Sequence, residues 1–372
     1  MNVFDAGHVR NVALVGHQGS GKTMLTEAML FEGGALNRMG SIEEGNTVSD
    51  YHPSEVERKM SVFTSLTHVV WNDHKINILD TPGYPDFIGE VIASLKVTDT
   101  ALFVVNAAEG VQVGTELAWN YASQMNKPSM FVVNHIDKAD LDLASAINQL
   151  KERFGRGVTL VQFPVGKDMR TIIDVLLMKQ LTFPAGKREP VISDIDSEHL
   201  GEAERLHNEL IESIAENDES LMELYFEKGS LTEEEMRKGL HIAMLSRQLF
   251  PVFFTCATQN VGIARLMTFI NNVCPAPTEM PEVETTSGNA VKADPNASPV
   301  VYIYRTMAEQ HVGDYSFFRV CAGTIEAGLD LEYAQMGVVE RLGQIFAIHG
   351  RDRAQVQKLH TVYLGTLVKF KT

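Results

Sequence analysis

From residue 11 to about residue 157 the chain alternates short apolar runs with stretches whose apolar residues recur at three- and four-residue spacing. Unbroken apolar runs suit strands covered on both faces, whereas the wider spacing is that of one helical face. The pattern predicts strands at 11–16, 62–71, 75–80, 101–107 and 129–134, and helices at 21–31, 87–97, 114–124 and 141–154. A sixth strand at 251–257 and a closing helix at 261–273 follow after a long interruption. Strands and helices alternating in this way imply a parallel sheet covered by helices.

The interruption, 158–248, begins with β-like segments and becomes a run of charged amphipathic helices around 202–227 and 232–246. It reads as an inserted α+β subdomain. Thr232 and Glu235 stand at the spacing of a capping box, which marks the start of the second helix. Between residues 275 and 299 the chain is rich in Pro, Thr, Ser, Asn and Glu without apolar periodicity, as expected of a linker over 281–298. Short β-like runs then appear at 300–305, 316–322, 337–342 and 344–349, the signature of a small antiparallel barrel. The expected organisation is a nucleotide-binding domain over 1–157 and 249–280, the insertion at 158–248, and a β-barrel over 299–372. A last run, 364–371, stops without a polar tail, which leads us to expect a chain cut from a longer protein.

Composition narrows this picture little, but charge does more. With 372 residues, 44% hydrophobic and 22% charged, the chain has the make-up of an ordinary globular protein of two or three domains. No apolar run near the N-terminus is long enough for a signal-peptide core, so a cytosolic protein without membrane contact is expected. Cys256, Cys274 and Cys321 form no CxxC pair and are odd in number, which indicates neither a disulfide framework nor a zinc site. The net charge of -16 argues against a general phosphate-coating surface. Sixteen acidic residues against four basic ones fall between Glu189 and Gly239, so most of that charge sits in one module. A solvated helical face and a docking surface for a basic or helical partner both fit it.

The chemistry concentrates in four loops. Gly16-His17-Gln18-Gly19-Ser20-Gly21-Lys22-Thr23 matches GxxxxGK[ST] between a predicted strand and helix. Its glycines let backbone N–H groups turn inward around phosphates at a helix N-terminus. Lys22 would reach the β- and γ-phosphates, and the Thr23 hydroxyl would take one position around Mg²⁺. Asp80-Thr81-Pro82-Gly83 ends a strand, where ligands sit in open α/β sheets. Asp80 could hold Mg²⁺ through water, and the Gly83 N–H could meet a γ-phosphate. Asn134-His135-Ile136-Asp137 follows the fifth strand. Asp137 can accept from guanine N1–H and the 2-amino group, whereas adenine offers neither donor. Thr255-Cys256-Ala257 ends the sixth strand, where a backbone N–H could touch guanine O6.

These elements, in this order, resemble the translational GTPases, and the residues between them narrow the resemblance to elongation factor G. Glu57-Arg58-Lys59-Met60-Ser61-Val62 stands where that family has its ERGITI switch, and Asp80-Thr81-Pro82-Gly83-Tyr84-Pro85-Asp86-Phe87 where it has DTPGHVDF. Gly110-Val111-Gln112 matches GGVQ, and Phe317-Phe318-Arg319-Val320 with Gly323 resembles the start of its second domain. The resemblance implies a P-loop GTPase domain with an inserted G′ subdomain and a β-barrel, holding GTP or GDP with Mg²⁺. It further implies a monomeric, ribosome-stimulated GTPase that drives tRNA and mRNA movement, with G′ helices meeting the ribosomal stalk protein.

Departures from the family pattern cluster in the hydrolytic parts. Tyr84 replaces the histidine that positions the attacking water, next to Gly83. Ser61 replaces the Mg²⁺-ligating threonine and keeps its hydroxyl. Gly19 replaces an aspartate implicated in holding a monovalent cation. In the base-reading loops His135 replaces a lysine and Cys256 a serine, beside Ala257. The expected outcome is retained nucleotide binding with slowed hydrolysis; a Tyr84 hydroxyl that positions water adequately is the competing expectation. A rescue, release or antibiotic-protection factor, and more remotely an ATPase, are the other classes compatible with these residues.

Overall fold

A computed structural model describes the protein over residues 3–138, 141–285, 288–309, 313–334 and 336–368. The first domain is built on β1 (Val9–Val15), α1 (Lys22–Glu32), α2 (Pro53–Arg58), β2 (Ser65–Trp71), β3 (His74–Asp80), α3 (Ile88–Val97), β4 (Thr100–Asn106), α4 (Val113–Gln124), β5 (Ser129–Asn134) and α5 (Leu143–Phe154). The insertion adds β6 (Val158–Leu160), β7 (Gln162–Val165), β8 (Thr171–Asp174), β9 (Lys179–Thr182), β10 (Val191–Ser193), α6 (Ser197–Ala215), α7 (Glu219–Lys228) and α8 (Glu233–Leu245). β11 (Phe250–Thr255) and α9 (Ile263–Val273) then return to the first sheet.

That sheet has seven strands in the order β2-β3-β1-β4-β5-β11-β6, parallel except for the β2–β3 hairpin. β6, from the edge of the insertion, therefore belongs by pairing to the first sheet. Side chains alternate between two cores, as strands covered on both faces require. Val12 and Leu14 of β1 and Leu102 and Val104 of β4 face one core, whereas Ala13, Val15, Phe103 and Val105 face the other. The first core runs on through α1 and α9 into Leu206, Leu210, Leu240 and Met244 of the insertion, so α6 and α8 share it.

Side-chain hydrogen bonds explain most departures from the predicted elements. Residues 62–64 were expected in a strand, yet β2 starts at Ser65 because the amides of Val62, Phe63 and Thr64 donate to the carboxylates of Glu55 and Glu90 instead of a neighbouring strand. The helical run expected at 202–227 is two helices. Asp218 accepts from the amides of Ser220 and Leu221 at 2.9 and 3.2 Å, which caps α7 and ends α6. The capping box at Thr232 and Glu235 is present as its spacing anticipates. α2 was not anticipated; Pro53 at its first turn and the His52–Glu55 capping pair start it.

The linker carries a short hairpin, β12 (Val283–Glu284) and β13 (Ala290–Val291). The second domain is antiparallel throughout: β14 (Val300–Glu309), β15 (Gly313–Ala322), β16 (Thr324–Glu326), β17 (Asp330–Tyr333), β18 (Val338–Arg341), β19 (Ile345–His349), β20 (Asp352–Val356), β21 (Lys358–His360) and β22 (Leu364–Val368). A five-stranded sheet, β14-β15-β22-β19-β20, joins the pairs β16–β21 and β17–β18 around Phe318, Val320, Ile345, Leu359 and Tyr363. The end of the strand expected at 364–371 lies outside the described residues. The two domains share buried clusters: Val9 packs with the second domain's core, and Leu66, Leu79 and Val97 pack with Tyr315, Phe317 and Leu364. Arg319 adds a buried ion pair to Asp99 at 2.8 Å.

Candidate functional site

The loops after β1, β3, β5 and β11 all leave the sheet at its C-terminal edge, so the topology alone gathers the four sequence motifs. Gly16, Gly19 and Gly21 have φ of 144°, 75° and 90°, values that L side chains rarely adopt. Gly21 is further confined, because a Cβ there would collide with the amide of Asn134 and lie 2.8 Å from His135 Nε2. Lys22 is buried, and its ammonium donates to the carbonyls of Gly16 and His17 at 2.9 and 2.8 Å. Burial pulls its pKa down to about 8, against the opposing charges of Asp80 and Asp50.

Gly83 sits directly on this loop, since a Cβ there would lie 2.5 Å from the backbone nitrogen of Gln18. The amide of Gly114 donates to His17 Nδ1 at 3.2 Å, which fixes the other side of the same turn. Ser20 is buried beneath the loop. Tyr84 follows Gly83 in extended backbone, half-buried, before the turn at Pro85–Phe87.

Beside Lys22 the hydroxyls of Thr23 and Ser61 approach to 3.2 Å, although 38 positions separate them. Asp80 is buried next to them, within reach of the Thr23 and Ser49 hydroxyls, but neither of its oxygens makes a hydrogen bond of regular geometry among the described residues. Burial, and then the charge of Asp50, push its carboxyl up to about 7. Asp50 is itself buried with one unpartnered oxygen and is raised by burial to about 6. Two buried carboxylates with orphaned oxygens and two adjacent hydroxyls form an all-oxygen donor set, which fits a hard divalent cation such as Mg²⁺. No group of three or more His, Cys, Asp and Glu side chains among the described residues offers a different metal centre.

Asp50 was not among the residues expected here, and its neighbours in sequence give no hint of it. The segment around it is held by two further buried acids. Glu27 of α1 accepts from the amides of Gly40 and Val48 at 2.7 and 2.6 Å. Glu55 of α2 accepts from Val62 and Phe63, both at 3.0 Å, and from His52 at 3.1 Å. The Pro53-x-Glu55 helix start is the one local signal that could have pointed to the second of these.

Asn134, fully buried, ties the loop after β11 to the GxxxxGK[ST] loop. Its Nδ2 donates to Ser20 O at 3.1 Å, while its Oδ1 accepts from Thr255 Oγ1 at 3.2 Å and from the Ala257 amide at 3.1 Å. The amides of Cys256 and Ala257 are thus both engaged within the protein, the Cys256 N–H donating to Val261 O at 3.1 Å. An O6 contact from Ala257 would be shared with Asn134. His135 has φ of 65°, and burial, followed by the nearby charge of Lys138, holds its imidazole below the ordinary 6.5. Asp137 is exposed at the rim, where Gln259 Nε2 donates to it at 2.9 Å. The Cys256 thiol is buried, and burial pushes it up to about 11, so it stays protonated.

The comparisons with known proteins agree with this geometry. Residues 7–276 match the elongation factor Tu GTP-binding domain family. A solved crystal structure of a protein from Thermus thermophilus is 31% identical, with a TM-score of 0.86 over 98% of this chain. The chain spans 53% of the length of that protein. With the GxxxxGK[ST] loop, the DTPG turn and the Asn134 brace gathered on one sheet edge, and a family match across most of its length, the chain belongs to the elongation factor Tu GTP-binding domain family of translational GTPases.

Proposed function

We propose that the chain is the nucleotide-switch portion of an elongation factor G-like GTPase, which binds GTP and GDP with Mg²⁺ and promotes tRNA and mRNA movement on the ribosome. The observation that carries the reading is the bracing of Ser20, Thr255 and Ala257 by one buried Asn134, which joins phosphate cradle and base pocket into a single site. Lys22 and the amides of 18–23 would bind the phosphates. Thr23, Ser61, Asp80 and Asp50 would hold Mg²⁺, which would neutralise charge on the β- and γ-phosphates. Asp137 would select guanine, with His135 against the ring. The exposed acidic faces of α6 and α7 would meet the ribosomal stalk protein. This role fits a monomer working in the cytoplasm; no helix among the described residues is long and apolar enough to cross a membrane.

Calorimetric titration with GDP and ADP tests the first step, and a preference for ADP would contradict the role given to Asp137. Ribosome-stimulated phosphate release tests the second.

A second reading, a GTP-binding ribosome factor with little turnover, is favoured by Gly19 and Tyr84. Gly19 adopts φ of 75° with open space around it, a conformation suited to glycine and without a side chain to assist a cation. Loss of a positioned catalytic group would slow cleavage by roughly 10² to 10³. Comparison of ribosome-stimulated release by the protein and by its Tyr84→His variant decides between the two: equal, fast release would remove the slow-turnover reading.

A further inference from the structure

Arg305, on β14 of the second domain, reaches across the domain boundary to the end of the segment that carries Ser61. Its Nη1 donates to Thr64 O at 2.6 Å, and its Nε lies 3.4 Å from Glu90 Oε1 on α3. The other oxygen of Glu90 accepts from the Thr64 amide at 2.7 Å. The guanidinium stands between the rings of Phe63 and Phe317, 5.3 and 5.2 Å from their centroids, with its side chain 7% exposed. One planar cation thus joins three parts: the end of the switch segment, the helix that follows the DTPG turn, and the second domain.

The position of Ser61 depends on such side-chain clamps because residues 61–64 have no strand partner. Glu55 holds Val62 and Phe63; Glu90 and Arg305 hold Thr64 from the opposite side. Removing the second clamp would free the backbone three residues from a hydroxyl that must sit 3.2 Å from Thr23 to complete the cation site.

We infer that Arg305 is a positioning residue: by fixing Thr64 and Glu90 it favours the arrangement in which Ser61 meets Thr23, and so couples the second domain to the triphosphate-bound state. The inference rests on the reading of this pocket as a guanine-nucleotide and Mg²⁺ site. A contact made in only one of two states shifts their populations by its differential energy, and linkage makes the effect reciprocal. Binding of triphosphate therefore strengthens the grip of the second domain on the switch, and loosening that grip weakens triphosphate more than diphosphate.

The test measures affinities of the full chain for GDP and for a non-hydrolysable GTP analogue over a range of Mg²⁺ concentrations. Arg305→Met keeps an apolar stem between the two rings but loses charge and donors; Arg305→Lys keeps the charge, and Glu90→Gln removes the partner carboxylate. Loss of one charge-assisted clamp should weaken the GTP analogue about ten-fold in Arg305→Met while GDP changes by less than about two-fold, and should raise the Mg²⁺ midpoint. Arg305→Lys should recover part of the loss, and combining Arg305→Met with Glu90→Gln should cost less than the sum of the two. Equal weakening of both nucleotides, or no weakening of either, overturns the inference and leaves the nucleotide site standing. A parent chain that binds neither nucleotide overturns both.

Discussion

Replacing Asn134 with alanine removes three hydrogen bonds from a fully buried position and orphans their partners, the Ser20 carbonyl, the Thr255 hydroxyl and the Ala257 amide. Each neutral hydrogen bond contributes about 1 kcal/mol net, and buried orphans raise the cost, so about 3 kcal/mol is expected in total. For a domain of this size that is a fall in Tm of roughly 6–12 °C by calorimetry or dye-monitored melting. The same change releases the phosphate loop from the base pocket, so GDP affinity should drop about 100-fold, measured by calorimetric titration. Asn134→Asp separates the two effects. It keeps an acceptor for Thr255 and Ala257 but turns a carboxylate oxygen toward Ser20 O, so it should lose nucleotide affinity with a smaller loss of Tm. If Asn134→Ala melts within about 1 °C of the parent, the bracing argument is wrong, because buried partners cannot be orphaned at no cost.

Asp80→Asn should gain stability relative to the parent as pH rises, in chain free of Mg²⁺ and nucleotide. The folded carboxyl titrates near 7 and the unfolded one near 3.8, so the native chain holds the extra proton and the parent loses stability between those values; parallel melting curves across that window would reveal no divergence if the site were solvated. His68 runs the other way: burial, with the Lys75 and His349 charges, lowers it to about 3, so as pH falls below 6.5 the parent should lose stability relative to His68→Gln, read from urea midpoints. Glu27→Ala removes two charge-assisted hydrogen bonds worth about 1.5–3 kcal/mol each and should speed proteolysis within residues 38–59; an unchanged cleavage pattern would contradict the tether.

Much of this architecture was legible because burial on both faces leaves a plain mark. The strands β4, β5 and β11 are apolar runs, as is Val12–Val15 of β1, and the glycines of 16–21 announce a turn that only they can make. The loops at the sheet edge follow from strand order, so placing Lys22, Asp80 and Asn134 together needed no tertiary information beyond parallel topology. Asp50, Glu27 and Glu55 were illegible as site residues for the opposite reason. Glu27 and Glu55 hold backbone amides that folding brings to them, Asp50 is buried close to Asp80, and an acidic residue in a polar stretch looks solvated until its burial is known. The overextended strand at 62–71 failed on the same ground: Val62 and Phe63 have the apolar character of a ladder, but carboxylates hold their amides.

Those buried acids also indicate how the site divides its work. Burial and the charge of Asp50 raise the pKa of Asp80, and burial with the charges of Glu55 and Glu27 raises that of Asp50, an arrangement that opposes folding when both are charged. The surrounding core can bear that cost, because the strands on either side are packed into two continuous apolar clusters. A cation would reverse the sign of the interaction, converting repulsion between carboxylates into shared coordination, and stabilise the chain by its occupancy. With such a cation, the segment from Ser49 to Thr64 would be the part whose stability depends most on ligand, while the hydrogen bonds of the Asn134 brace are made within the protein. That division predicts a chain that holds its fold and phosphate loop without Mg²⁺ but orders its switch with it. Hydrogen exchange in the presence and absence of Mg²⁺ and nucleotide should show protection changing over residues 49–64 and not over 129–134. Uniform protection changes across both would mean that the site and its frame open as one unit.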